Sequence, residues 1–482
     1  MSNQNSLWAN EQKMKAFLLT KKNQKRLLLL ALLPAFLSIE GCGSGSNNSA
    51  SVAPVSIQQG DGYYRITMDY TTGLSNREMG RELAQKIRQQ VPNYESYMDD
   101  MLARQLLLTE NVSPPLTPVG FGLALNRARE IIKNVPIEYV DELNGMQEVF
   151  NSTIDQPGDG VLSANELLVI QLFPDVLRVT GCSASGVFGD SSISGNTVFG
   201  RNLDWFSYPL VPASHIQALT TFKKKNSTIV NFSAAGFLPA GSSFNQSKVF
   251  GAVLDAEIPT LDYPTNLNGF RSYVFDLRYA LENNTTLQGV ADFMSNSGRL
   301  YAFNHLIFLA DKNVQKVLEN NVRQPNASPP VRALRSSTST LNPNIPNPEQ
   351  RTWVFGNAIA TVNDFRLPGT YFEPDDVSNS SRWTSFKSLY NTYLANNSRI
   401  SIQQLKSIAG FPGTNQSGDD EQGAIFLHSK ESPPTKKDPP KYSTMQSIIM
   451  NMETLETWAH FAPAGGPFPT LPTYRRVPHL LE

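Results

Sequence analysis

The sequence predicts an α+β protein. Apolar residues recur at helical spacing through the first third of the chain, and short apolar runs bounded by turn residues near both ends predict strands. The chain has 482 residues, of which 40% are hydrophobic and 17% are charged, so it can bury a large core. Lys plus Arg number 41 and Asp plus Glu number 42, so no net charge attracts the protein to nucleic acid.

The N-terminal segment has the pattern of an export signal. Lys and Arg residues between positions 21 and 26 precede an apolar run over residues 27–39, which is shorter than the roughly 20 residues of a membrane-spanning helix. Cys42 follows the run closely, in a context that resembles a bacterial lipoprotein cleavage box. We therefore expect residues 1–41 to be a lipoprotein-type signal peptide, with the protein exported to the bacterial cell envelope and anchored in the membrane by a lipid on Cys42. Simple secretion is the alternative, and either Met1 or Met14 can be the start.

Residues 42–60 contain a Gly/Ser/Asn-rich tract that cannot bury apolar area, so we expect a flexible tether there. We interpret residues 61–181 as a pro-segment. Tyr63–Met68 has the pattern of a strand. Helices are predicted at residues 77–91, 98–108, 123–132, 139–149 and 165–172.

The segment from Asp155 to Glu166 allows two interpretations. Its acidic and glycine positions match part of a calcium-binding helix–loop–helix, but Pro157 stands where a ligand is needed. The favoured alternative is a turn that starts a helix, with Ser163 as its cap and Glu166 as the capping-box partner. We predict no metal site and no cofactor elsewhere.

Cys182 and Cys42 are the two cysteines of the chain, too few for a disulfide framework. Cys182 follows Gly181 in a run of small residues that allows close backbone approach. Turn residues at 194–196 predict a hairpin that would bring Arg201 and Asp204 back beside Cys182. The alternative is that Cys182 is an inert, buried apolar residue.

A Cys–His site is the rival chemistry. None of the five histidines, at positions 215, 305, 428, 460 and 479, lies in a context typical of a catalytic partner. A cysteine that becomes a new N-terminus needs no histidine, because its freed α-amine, with a pKa of about 7.7–8.0, can act as the base.

The segments Gly181-Cys182-Ser183 and Gly200-Arg201-Asn202-Leu203-Asp204-Trp205 resemble those of the N-terminal-nucleophile cysteine hydrolases. That superfamily includes choloylglycine hydrolase, acid ceramidase and the acyl-coenzyme A:penicillanic acid acyltransferase family, which this chain resembles most in layout. Further similar segments, in the same order, are residues 77–83, 142–146, 304–311, 317–319, 361–365 and 380–382.

The resemblance implies a four-layer αββα sandwich and a role for each matching residue. Cys182 would be the nucleophile and its α-amine the base, after self-cleavage between Gly181 and Cys182. Arg201 and Asp204 would hold the amine and the substrate, with Asp204 accepting from the ammonium. Asn363 would donate to the developing oxyanion, and Arg382 would complete the electrostatics.

The sequence departs from the family's pattern at several positions. Asp255 stands where relatives often carry Asn, and Asp364 replaces a usual His. The spacing from Cys182 to Arg201 is also longer than usual. Residues expected to line the site are Asp255, Glu257, Asn304 and Ser381.

In the remainder of the chain, helices are predicted at residues 274–281, 287–295 and 402–409, long loops at 322–350 and 430–441, and final strands at 445–452 and 454–460. Residues 182–482 would be the catalytic subunit, forming a heterodimer with the retained pro-segment. The expected activity is hydrolysis of a linear amide in an N-acylated small molecule, or transfer of its acyl group. The alternatives are a non-catalytic binding lipoprotein and an ester or phospholipid hydrolase on the same fold.

Overall fold

The computed structural model describes residues 53–111, 120–177, 180–256, 264–324, 329–372, 376–429, 441–478 and 480–481. The expected signal peptide, Cys42 and the start of the tether lie outside these residues, as does Glu257. No helix among the described residues is both long enough and apolar enough to cross a bilayer.

Eleven α-helices occur in the described residues: α1 Asn76–Gln90, α2 Tyr94–Asn111, α3 Phe121–Ile131, α4 Ile137–Gln147, α5 Ala164–Gln171, α6 Phe173–Val176, α7 Ser207–Ala213, α8 Tyr273–Asn283, α9 Leu287–Ser295, α10 Val377–Tyr393 and α11 Ile402–Ala409.

The strands of the described residues are β1 Val55–Gln59, β2 Tyr64–Asp69, β3 Thr180–Val187, β4 Val198–Phe206, β5 Gln217–Lys223, β6 Thr228–Ala234, β7 Ser242–Asn245, β8 Phe250–Asp255, β9 His305–Ala310, β10 Gln315–Asn321, β11 Val331–Arg335, β12 Ala358–Thr361, β13 Tyr442–Asn451, β14 Thr457–Phe461 and β15 Arg475–Val477. They form two sheets. One has nine strands in the order β1-β2-β5-β6-β7-β8-β9-β10-β11, and the other has six in the order β12-β3-β4-β13-β14-β15.

Alternation of side chains along the strands gives each sheet two apolar faces. One core, which includes Leu219, Phe232 and Ile448, lies between the two sheets and contains Cys182. A second core joins the other face of the nine-stranded sheet to helices α1 to α9. A third joins the six-stranded sheet to α10 and α11. The protein is therefore a four-layer αββα sandwich, as predicted.

Helices α1 and α4 cross at two glycines. A Cβ on Gly80 would lie 1.8 Å from the carbonyl oxygen of Glu142, and one on Gly145 would lie 1.9 Å from that of Arg77. Only glycine permits this approach, because any larger side chain would overlap the facing backbone. The crossing places Glu142 inside the core, where it meets Arg278 of α8.

The strand at Tyr64–Asp69 and helices α1 to α5 occur where the sequence predicts them. Three other expectations were wrong in part. Val55–Gln59, placed in the tether, forms β1 and pairs with β2. Val331–Arg335, placed in a long loop, forms β11 against β10. The hairpin turn is longer than the predicted one, because β3 ends at Val187 and β4 begins at Val198.

The segment from Asp155 to Glu166 is a turn that leads into α5. Ser163 accepts from the backbone N–H of Glu166, and the Glu166 side chain accepts from the backbone N–H of Ser163, so the predicted capping box is present. The buried carboxylate of Asp99 accepts from the N–H groups of Gly158 at 2.7 Å and Gly160 at 2.6 Å. Backbone donors here therefore bind a carboxylate of α2, which fixes the turn against the helix layer.

Candidate active site

The hairpin of β3 and β4 brings the predicted residues together. The two strands pair in antiparallel register, with Gly181 opposite Asp204, Cys182 opposite Leu203 and Ala184 opposite Arg201. Cross-strand partners share a face of the sheet and neighbours along a strand alternate. Arg201 is therefore on the same face as Cys182, whereas Asp204 is on the opposite face beside Gly181.

Arg201 binds the nucleophile candidate directly. Its Nη2 donates to the Sγ atom of Cys182 at 3.1 Å and to the carbonyl of Val253, on β8 of the other sheet, at 2.8 Å. Its Nη1 donates to the carbonyl of Asn202. Arg201 and Cys182 are 1% and 0% exposed. A surface ion pair between Arg201 and Asp204 is therefore excluded, because both are buried and they lie on opposite faces.

The backbone of Cys182 is held where strand β12 ends. The β12 ladder ends with Thr361 opposite Ala184, two residues before its continuation would reach Cys182. Side chains then replace the missing strand. The N–H of Cys182 donates to Asn363 Oδ1 at 2.7 Å, and the carbonyl of Cys182 accepts from Arg382 Nη1 at 3.1 Å. The backbone N–H and the backbone carbonyl of this buried residue both have a hydrogen-bond partner.

The orientation of the Asn363 amide follows from its neighbours. Its Oδ1 faces two donors, the N–H of Cys182 and Nη2 of Arg382, the latter at 3.0 Å. Its Nδ2 donates to the carbonyl of Asp255 at 2.5 Å. Asn363 was expected to donate to an oxyanion, but here one of its two Nδ2 hydrogens is bound by the Asp255 carbonyl and its oxygen accepts from the nitrogen of Cys182.

Asp204 is a buried carboxyl group with one oxygen bound. Oδ1 accepts from the hydroxyl of Thr444 at 2.7 Å. Oδ2 lies 3.8 Å from Nη1 of Arg382 and has no hydrogen-bond partner among the described residues. Burial raises the pKa of Asp204 from 3.8 to about 6, and the charge of Arg382 opposes that rise.

The thiol of Cys182 has a raised pKa in this uncleaved chain. Burial is the main cause, and the negative charges of Asp204 and Asp255 add to it, whereas Arg201 lowers the pKa. The thiolate is the reactive form. A positive charge placed near Sγ would therefore activate the nucleophile, and a freed α-ammonium would be such a charge.

The remaining predicted residues differ in their proximity to Cys182. Asp255 accepts from the Tyr273 hydroxyl at 2.7 Å and reaches the site through its carbonyl on Asn363. Asn304 uses its amide on the backbone of Arg323, at 2.9 and 2.7 Å. The carbonyl of Ser381 lies against Gly423. Asp255 therefore belongs to the site, whereas the contacts of Asn304 and Ser381 tie them to neighbouring backbone.

Asp364, in place of the expected His, forms a buried ion pair with Arg366 at 2.5 Å. Burial raises the pKa of Asp364 to about 6. The pair lies directly after Asn363 in the chain and helps to fix the segment that carries Asn363.

Two residues that hold side chains of the candidate site were not predicted from the sequence. Asn379 of α10 accepts from the N–H of Asn363 at 3.0 Å and from Nη2 of Arg382 at 2.6 Å. Thr444 of β13 holds Asp204. Thr444 pairs with Asp204 across the sheet, so a correct prediction of the β4–β13 pairing would have identified it.

Among the described residues, it is Arg201 that hydrogen-bonds the thiol of Cys182, not a histidine. The His305 ring is stacked on Tyr273 at 4.4 Å, and its two nitrogens bond to the Phe303 carbonyl and to Asn320. Burial lowers the pKa of His305 to about 3. The geometry is thus that of a cysteine whose partners are an arginine and the groups around its own backbone nitrogen.

Comparison with profiles of known protein families and with curated protein sequences gives no match. Among solved structures, the chain is similar to an ortholog of N-acylethanolamine-hydrolyzing acid amidase from Caenorhabditis elegans, with 14% identity, a TM-score of 0.35, and 56% of this chain and 93% of that chain covered. It is also similar to a variant of conjugated bile acid hydrolase from Clostridium perfringens, with 11% identity, a TM-score of 0.35 and coverage of 58% and 89%. Penicillin V acylase from Agrobacterium tumefaciens gives 10% identity, a TM-score of 0.29 and coverage of 58% and 83%. Similarity at this level identifies no function for this chain.

Proposed function

We propose that this protein is an N-terminal-nucleophile hydrolase that cleaves its own chain between Gly181 and Cys182 and then hydrolyses a linear amide of an N-acylated small molecule. One observation carries the proposal. Separate side chains hold three groups of Cys182: Arg201 donates to Sγ, Asn363 accepts from the nitrogen of the bond to be cleaved, and Arg382 donates to the residue's own carbonyl. The backbone groups of any buried residue need partners, but a cysteine that served only for packing would not need a buried guanidinium on its Sγ atom.

The self-cleavage step begins with attack of Sγ on the carbonyl carbon of Gly181. The C–N bond breaks, the nitrogen of Cys182 takes up the thiol proton, and a thioester joins Gly181 to Sγ. Water then hydrolyses the thioester, which releases the carboxylate of Gly181 and regenerates the thiol. Arg201, at 3.1 Å from Sγ, stabilises the thiolate that attacks.

After cleavage the nitrogen of Cys182 is an α-amine. It remains beside the Asn363 oxygen, its partner at 2.7 Å in the uncleaved chain. The unbound Oδ2 of Asp204 is a further acceptor for an ammonium in this region. The amine serves as the base for Sγ, which takes the acyl group of the substrate while the substrate's amine leaves. Water completes hydrolysis, and a second amine in its place completes acyl transfer.

The pro-segment would stay bound to the catalytic segment after cleavage. Glu142 of the pro-segment forms a bidentate, fully buried ion pair with Arg278, at 2.6 and 2.9 Å. Asp175, seven residues before Cys182, accepts from the Ser272 hydroxyl at 2.6 Å and from the N–H of Tyr273 at 3.0 Å. Strand β2 of the pro-segment also pairs with β5. Separation would expose these buried polar groups and break the sheet.

We further propose, on the sequence of residues 1–42, that the protein is exported and lipid-anchored in a bacterial envelope. A Cys42→Ser variant that is still exported but loses lipid labelling and leaves the membrane fraction would support the anchor. Equal membrane association of the variant and the wild type would contradict it.

The self-cleavage proposal is tested by the intact mass of the folded protein and of Cys182→Ala. Two fragments, of which one begins at Cys182, are expected from the wild type alone. A screen of N-acyl amides against matched esters then tests the substrate class, and hydrolysis of esters only would contradict the amide assignment.

A further inference from the structure

Asn379 lies at the third position of α10 and is 3% exposed. Its side-chain oxygen accepts two hydrogen bonds, from the N–H of Asn363 at 3.0 Å and from Nη2 of Arg382 at 2.6 Å. Asn363 and Arg382 are the two residues that hold the nitrogen and the carbonyl of Cys182. One oxygen atom therefore binds both side chains that hold the backbone of Cys182.

Asn379 is itself fixed by the cap of its own helix. Asp376 is the N-cap residue; its Oδ1 accepts from the backbone N–H of Asn379 at 3.0 Å, and its Oδ2 accepts from the Asn379 side-chain amide. The amide nitrogen is thereby directed toward Asp376 and the oxygen toward the site. The cap therefore sets the orientation of the Asn379 amide.

Arg382 has a competing partner nearby. Its Nη1 lies 3.8 Å from Oδ2 of Asp204, just beyond hydrogen-bond distance, while Nη2 is held by the two amide oxygens of Asn363 and Asn379. A small rotation of the guanidinium would convert the long contact into a direct ion pair. That rotation would remove the donor from the Cys182 carbonyl and would occupy the carboxylate oxygen.

We propose that Asn379 is a positioning residue, which holds Arg382 on the Cys182 carbonyl and away from Asp204 while it fixes Asn363 against the Cys182 nitrogen. This inference rests on the proposed self-cleavage. It deepens that proposal by assigning a role to a residue that touches neither the nucleophile nor the cleaved bond.

The test compares the rate of self-cleavage in full-length chains that carry Asn379→Ala, Asn379→Asp, or the exchange pair Asp376→Asn with Asn379→Asp. Asn379→Ala removes the shared acceptor, and a displacement of about 1 Å can slow a reaction about 10²-fold. Asn379→Asp keeps an acceptor but sets two carboxylates side by side. The exchange pair restores one amide and one carboxylate with the acceptor still facing Arg382. Asn391→Ala, at an exposed position of the same helix, is the matched control.

We expect both single variants to cleave 10- to 100-fold more slowly, the exchange pair to recover most of the wild-type rate, and Asn391→Ala to cleave like wild type. Thermal unfolding of each variant on a Cys182→Ala background separates a fold defect from a positioning defect. The inference would be overturned if the wild type cleaves itself and Asn379→Ala cleaves at the same rate. It would also be overturned if the exchange pair cleaves as slowly as the single variants at equal stability. A wild type that does not cleave would instead overturn the proposed function.

Discussion

The side-chain oxygen of Asn363 accepts a hydrogen bond from the backbone N–H of Cys182 at 2.7 Å, across 181 positions of the sequence. This nitrogen belongs to the peptide bond that the proposed reaction breaks, and it becomes the α-amine of the mature enzyme. The same acceptor can therefore serve the precursor amide and the product amine, so cleavage needs no rearrangement of Asn363.

Removal of the Asn363 acceptor should impair both self-cleavage and the later reaction with substrate. Asn363→Leu would leave the buried N–H of Cys182 and Nη2 of Arg382 without this partner, at a cost of about 1–3 kcal/mol for an unsatisfied buried group. We expect self-cleavage to slow by about 10²-fold. The rate can be followed by gel densitometry of freshly refolded chain, with Asn391→Ala as the control for a neutral asparagine change. An unchanged rate would contradict the placement of Asn363.

Arg201 should control the reactivity of the thiol. Its charge lowers the pKa of Cys182, against the raising effect of burial. Arg201→Gln should therefore raise the thiol pKa and slow self-cleavage, whereas Arg201→Lys should retain part of the rate because it keeps the charge. The measurement is the pH dependence of iodoacetamide labelling of the Cys182 peptide, read by mass spectrometry. A profile of Arg201→Gln that matches wild type would show that the guanidinium does not act on Sγ.

Asp204 should make stability depend on pH. Its folded-state pKa is raised from 3.8 to about 6, so its contribution to stability is fully present below about pH 4 and is lost as pH rises through about 6. A difference of about two pKa units corresponds to about 3 kcal/mol. Asp204→Asn should remove this loss, which urea unfolding at several pH values on a Cys182→Ala background can measure.

Asp364→Asn is the comparison variant for that experiment, because burial also raises the pKa of Asp364 to about 6. If the two carboxyls act independently, each variant removes its own part of the pH dependence. An Asp204→Asn chain whose stability falls between pH 4 and 7 as steeply as that of the parent would contradict the raised pKa.

The ion pair of Glu142 and Arg278 should hold the two segments together. Arg278→Met leaves the Glu142 carboxylate buried, with Tyr70, at 2.6 Å, as its one remaining hydrogen-bond partner among the described residues. Loss of one partner of a buried pair costs about 3–5 kcal/mol. The double variant Glu142→Leu with Arg278→Met should lose less stability than either single variant. Unfolding in denaturant and co-elution of the fragments after cleavage are the measurements. Single variants that match wild type in both would exclude the pair as a determinant of assembly.

The parts of the fold that follow from local pattern were predictable from the sequence. Helices α1 to α4 have amphipathic spacing, and α5 begins at a capping box. The turn residues before Arg201 indicated a hairpin that brings it to Cys182. Strands β5 to β8 had no such pattern, because buried polar residues such as Asn231 and Ser243 bond to each other inside the layer. Their burial depends on partners that only the folded chain supplies.

The more distant half of the site could not be derived from spacing. Arg382 reaches Cys182 across 200 positions and came into the prediction only through resemblance to a family. Asn379 gave no signal, since an asparagine near a helix start is ordinary capping chemistry. The resemblance also assigned Asn363 the part of a donor, whereas the structure directs its oxygen at Cys182 because donors surround it there.

The measurement that tests the central claim most directly is the intact mass of purified, folded wild-type protein beside Cys182→Ala. The account predicts two fragments from the wild type, the larger beginning at Cys182, and one uncut chain from the variant. A folded wild type that remains a single uncut chain would contradict the self-processing mechanism and would favour a binding protein. Cleavage that persists at the same bond in Cys182→Ala would show that Cys182 is not the nucleophile of that step.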